Sequence, residues 1–175
     1  MFKKVFFVFL SLLLLVGVFS SVLVGSVSAQ ETTPEPDSFE MFWPLVAGKT
    51  MGDSLYFLKT FKEELRGAIV FGANPKANYE VLLATKRVLE AEKLAKEGKM
   101  DMSKKTIEAA LSKLNSASGN IDKAKSTGSA VDPLEMSDRL TNLVTFSKWL
   151  SGKYSDVSDL LLQVEGKASS LLAKL

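Results

Sequence analysis

The chain has 175 residues, with 22 basic and 20 acidic side chains and neither Cys nor His. Without Cys there are no disulfides, thiolate metal sites, thiol catalysis or lipid-anchoring cysteine, and without His the commonest general base, the commonest transition-metal ligand and every His-containing triad are gone. The basic excess is Lys3 and Lys4, since every acidic residue follows Ala29; the remainder is charge-balanced and lacks the surplus that a nucleic-acid binder sets against phosphates.

Residues 1–29 read as a signal peptide. Lys3 and Lys4 form a positive start, Val5 to Val24 is an uncharged apolar run, and Ser26-Val27-Ser28-Ala29 supplies residues that a signal peptidase tolerates. Cleavage is expected after Ala29. The alternative is an uncleaved anchor, because the run approaches the ~20 residues that span a bilayer. The lysines ahead of the run place the remainder outside the cytoplasm on either reading, secreted or held at the membrane only through the leader.

Residues 30–51 are expected to be a linker and an apolar strap. Gln30 to Ser38 is polar and contains two prolines, a composition that does not order itself. Phe39 to Met51 is apolar but interrupted by Pro44 and Gly48. Phe42, Trp43 and Leu45 are expected to lie against the domain that follows; the alternative is an exposed aromatic patch for a partner.

Residues 52–175 predict an all-α, antiparallel bundle of about five helices, with no alternating strand pattern. The first helix is expected over about 53–70, capped by Asp53 or Ser54. Its stripe of Leu55, Leu58, Phe61, Leu65 and Ile69, widened by Tyr56 and Phe57, marks it as the segment on which the others pack. Asn74-Pro75 starts a second helix that Gly98 stops. Asp101 or Ser103 starts a third, with a kink or a mobile turn expected across Ser116 to Asn120. Asp132-Pro133 starts a fourth that ends near Gly152. A fifth, from Ser155 or Asp156, carries Val157, Leu160, Leu161, Val164, Ala168, Leu171 and Leu172 at amphipathic spacing.

Gly52-Asp53-x-Leu55-Tyr56-x-Leu58-Lys59, then Phe61-Lys62 and Asn74-Pro75-x-Ala77, resembles the opening of a family of bacterial extracytoplasmic helical domains of unknown function. The resemblance covers about Leu45 to Lys125, and Met51 departs from it where a proline is common. It implies a helical fold behind a signal peptide or single span, in some members alongside anti-sigma or envelope-stress proteins. It implies no chemistry, cofactor or metal.

The residues themselves offer little chemistry. Gly48-Lys49-Thr50 echoes the end of a phosphate-binding loop, but Trp43 stands where its first glycine belongs. Glu63 and Glu64 diverge on a helix, Asp156 and Asp159 suit a helix start, and no Ser-x-x-Lys occurs. The expectation is a non-enzymatic extracytoplasmic interaction domain without cofactor or metal. Phe42, Trp43, Tyr56 and Lys59 are its candidate contacts for an envelope protein, and the oligomeric state stays open. The alternative is a small-ligand or peptide carrier, its ligand held among Phe57, Phe61, Phe146 and Trp149.

Overall fold

A computed structural model describes residues 35–128 and 134–175. The leader, most of the linker and the Asp132-Pro133 start lie outside the described residues. Among those described, the chain is all-helical: α1 (Ser38–Phe42), α2 (Tyr56–Ala68), α3 (Ala73–Lys96), α4 (Met100–Ser126), α5 (Leu134–Lys153), a 3-10 turn (Ser155–Val157) and α6 (Ser158–Leu172). None of these helices is long and apolar enough to cross a membrane.

Four helices share one core. Among the buried positions, Ala77, Val81, Ala84, Val88, Ala91 and Ala95 form one series on α3, and Ser103, Ile107, Ala110, Leu114, Ala117, Ile121 and Ala124 form one on α4. Both series alternate steps of four and three, the heptad pattern that keeps one seam facing a partner helix. Ala77, Ala84 and Ala91 recur at every seventh residue, as do Ala110, Ala117 and Ala124, so each helix presents small side chains that permit close approach. The turn between them is a Schellman stop: Gly98 has φ +74°, its N–H donates to Ala95 O at 3.0 Å, and Lys99 N–H donates to Leu94 O at 2.9 Å. Ser103 Oγ then donates to Ala91 O at 2.9 Å, tying the start of α4 to α3.

The other hairpin follows the same rule. Met136, Leu140, Leu143, Ser147 and Leu150 on α5 face Val157, Leu161, Val164, Ala168 and Leu171, and both helices enter the same core as α3 and α4. Phe146 is fully buried, stacked on Trp149 at 5.7 Å and edge-on to Phe42 at 5.4 Å, so it joins α1 to the bundle. Lys174 Nζ donates to Ser118 Oγ at 3.0 Å and to the Asp122 carboxylate, pinning the end of the chain to α4.

Two expectations are corrected. No turn interrupts α4 at Ser116 to Asn120: the helix runs unbroken through this stretch, with Ala117 and Ile121 on the buried seam. Nor is the stretch from Gly52 to Phe71 the centre of the fold. Among the described residues, the backbone of α2 packs closely on no other helix, and its apolar stripe faces outward: Phe57 is 64% exposed, Phe61 62% and Ile69 65%. What faces inward is polar.

Candidate functional site: an inverted helix on a buried charge ladder

The opening motif builds the entry to α2. Gly52 takes φ +96°, open to glycine at no steric cost, and a Cβ there would meet Met102 Sδ at 3.1 Å. Asp53 does not cap the helix. Its carboxylate turns back to accept from Thr50 N–H at 2.7 Å and from the Thr50 hydroxyl at 3.3 Å, and the first of these bonds holds the Asp53 carboxyl below its ordinary range. The α2 backbone starts instead with Tyr56 N–H donating to Asp53 O at 3.0 Å.

One helical turn on, Lys59 spends all three ammonium protons. It donates to Ala47 O at 2.7 Å, to Lys49 O at 2.8 Å and to Glu90 Oε1. Lys93 donates to Gly48 O at 3.1 Å, so two lysines on different helices hold the strap by three successive carbonyls. From Glu90 the charges alternate across the gap between α2 and α3. Arg87 Nη1 donates to Glu90 Oε1 at 2.5 Å, Arg87 Nη2 to Glu63 Oε2, and Lys86 Nζ to Glu63 Oε1 at 2.9 Å. The Tyr56 ring lies between Lys59 and Arg87, 5.9 and 5.8 Å from its centroid, with its hydroxyl 3.4 Å from Glu90 Oε2. Farther along, Tyr79 donates to Glu63 O at 2.8 Å under Gly67, where a Cβ would stand 3.2 Å from the ring. Long polar side chains therefore set the distance between α2 and α3, and the only helical glycine of α2 admits the tyrosine.

Burial and ion pairing compete along this ladder. Glu90 is fully buried, and desolvation pushes its carboxyl up although Arg87 and Lys59 oppose the shift. Desolvation also lifts the Tyr56 hydroxyl, to about 12, with Glu90 adding to it. At Glu63 burial again acts upward, but Lys86 and Arg87 together outweigh it and hold the carboxyl below its ordinary 4.5. A depressed folded-state value means that the Glu63 contribution is complete above about 4.5 and is lost as pH falls through the folded value. Glu90 has the opposite sign: its neutral-pH desolvation cost is relieved on acidification. Replacing Glu63 with Gln is thus expected to flatten the loss of stability below pH 4.5, measured by urea unfolding at pH 3 to 6; an unchanged slope would remove Glu63 from the account.

The opposite side of α2 is apolar. Leu55, Phe57, Leu58, Phe61, Leu65, Ile69 and Phe71 are all about half exposed or more, up to 83% at Phe71. Phe57, Leu58, Phe61 and Leu65 stand on α2 itself, with Leu55, Ile69 and Phe71 exposed at its two ends, and an exposed apolar surface of this kind marks an interaction site. The inward positions Tyr56, Lys59, Glu63 and Gly67 recur at three- and four-residue steps on the other side of the same helix.

Of the sequence-predicted contacts, Tyr56 and Lys59 come together, but inside the ladder. Phe42 lies in the core at 4% exposure. Trp43 is 67% exposed, edge-on to Phe39 at 4.8 Å, and borders an open cleft of about 340 Å³ with Leu82, Arg139 and Asn142. The aromatic quartet expected around a carried ligand is divided: Phe57 and Phe61 are outside, while Phe146 and Trp149 stack within the bundle. The residues that sequence reasoning missed are Glu63, Arg87 and Glu90. Their signal was available, since Glu63 and Lys59 share a face of α2, and Arg87 and Glu90 share a face of α3.

No curated protein and no solved structure matches the chain. A family described as a domain of unknown function, DUF5667, matches residues 48–142, from the glycine before the opening turn through all of α2, α3 and α4 and into α5. The chain belongs to the DUF5667 family.

Proposed function

We propose that this chain is a non-enzymatic, extracytoplasmic docking domain whose working surface is the outer face of α2. The observation that carries the reading is the inversion of that helix: its charged face is consumed internally and its apolar face is presented. The leader, with its lysine start and Val5 to Val24 run, supports a location in or beyond the cell envelope. The fate of the buried carboxylates supports the absence of catalysis. Glu63 is committed to Lys86 and Arg87, and Glu90 to Lys59 and Arg87, so both are held in ion pairs.

The test is site-specific photo-cross-linking in cells. A photoreactive residue at Leu65, on the presented face, is expected to give recurrent adducts with an envelope component, protein or lipid. The same group at Ser112, on the exposed side of α4, is expected to give none. Equal yields at the two positions, or none at Leu65, would contradict the reading.

A further inference from the structure

The edges of the presented face differ. At 100° per residue, Phe57, Leu58, Phe61, Leu65, Ala68 and Ile69 form one arc, with Lys62 and Arg66 along one border and Glu64 on the other. Behind the basic border a cleft of about 400 Å³ opens between α2 and α3. Lys62, Arg66 and Lys86 line it, and its acidic lining residue, Glu63, is already neutralised by Lys86 and Arg87. An apolar arc rich in phenylalanine beside a cationic edge is the pattern of a helix that lies in a membrane interface, rings among the acyl chains and cations at the phosphates.

Chain length points the same way. About ten residues separate the end of the apolar run at Val24 from the first described residue, a reach of at most about 35 Å. On the alternative in which the leader stays as an uncleaved anchor, that reach is the longest the linker allows. A second copy of the chain fits the face less well. An antiparallel two-fold pairing sets like edge against like edge, Lys62 and Arg66 beside their own copies, and a parallel pairing offers those two cations only Glu64.

From the presented arc and its basic border, with the tether added where the leader is retained, we infer that α2 docks on an anionic lipid bilayer. This rests on the docking reading above and names its partner surface. Phe57, Phe61 and Leu65 insert at the level of the headgroups, Lys62 and Arg66 meet the phosphates, and the charge ladder keeps α2 turned outward while the four-helix core stays in water.

The absence of Cys makes the test direct, because one introduced cysteine is the only labelling site. In full-length protein reconstituted into vesicles of phosphatidylglycerol and phosphatidylcholine, an environment-sensitive fluorophore at Ala68→Cys is expected to shift to the blue. Nitroxide-bearing lipids should quench it, and a label at Ser112→Cys should stay unquenched. Adding Lys62→Gln and Arg66→Gln is expected to reduce the docked fraction by roughly 30-fold in docking equilibrium, at about 1 kcal/mol for each cation near an anionic surface. Equal quenching at the two positions, or none at Ala68, overturns the bilayer inference. If the Ala68 label is then shielded in cells by a protein adduct, the docking reading survives without the lipid; if it is shielded by nothing, both fall.

Discussion

Replacing Glu90 with Ala is expected to lower stability by about 3–5 kcal/mol, the usual cost of leaving buried charges without their partner. Glu90 is fully buried and receives Lys59, Arg87 and a weak contact from Tyr56. Its removal leaves Arg87 with Glu63 alone and Lys59 with two strap carbonyls. The loss should be local in its first expression. Amide exchange in α2 and in the strap at residues 45–50 should accelerate before the α3–α4 seam opens, because α2 is held through this ladder and not by close backbone packing. A second variant separates charge from volume: Lys59→Met combined with Glu90→Leu removes the ion pair and keeps bulk, and it should lose less than Glu90→Ala alone. A larger loss in the double variant, by urea unfolding, would mean that the ladder is a net source of stability and not a device for orienting α2.

Phe146→Ala should cost a similar ~3–5 kcal/mol, by a different route. The ring is fully buried between Trp149 and Phe42, and truncating a core aromatic combines the lost transfer energy with a cavity that its neighbours only partly fill. The defect should spread to α1, whose Phe42 has the Phe146 ring as its edge-on partner. Phe146→Leu, which keeps most of the volume, is expected to retain much of the stability. Chemical unfolding followed by tryptophan fluorescence reads both effects, through Trp149 beside the site and Trp43 on the strap. A loss below about 1 kcal/mol for the alanine variant would show that this part of the core is slack.

The four core helices were legible because their signals are local and agree with one another. Gly98 and Gly152 mark ends, and the Val157 to Leu171 stripe reads as amphipathic without reference to anything else. The alanine seam was less legible. Ala84, Ala91, Ala110 and Ala117 carry little hydrophobic weight, so a count of large residues passes over the seven-residue repeat that brings α3 and α4 together. The expected turn at Ser116 to Asn120 has the same origin: propensity marks a weak helix-forming run, whereas the seam through Ala117 and Ile121 keeps it helical.

The orientation of α2 was misread for a sharper reason. Periodicity reports that a helix has an apolar side, not that this side is buried. The contrary evidence lay on the partner. Arg87 and Glu90 share a face of α3, and Glu63 lies one turn from Lys59 on α2. Charged residues that match across two neighbouring helices satisfy each other only if those faces meet. Once they meet, Phe57, Phe61 and Leu65 have nowhere to go but outward. The candidate site was therefore legible by segment and not by face: the motif from Gly52 to Lys59 was singled out, yet Tyr56 and Lys59 serve the ladder beneath the helix, and the surface lies on the residues between and beyond them.

The outward orientation of α2 is tested most directly by thiol reactivity in the otherwise cysteine-free chain. Phe61→Cys and Ala117→Cys are compared with a water-soluble maleimide under native conditions. Phe61→Cys should react close to the rate of an exposed thiol and cost less than about 0.5 kcal/mol in stability, as a surface substitution does. Ala117→Cys, on the buried seam, should be protected by orders of magnitude. Equal protection at the two positions would place the apolar face of α2 inside the fold and contradict the account.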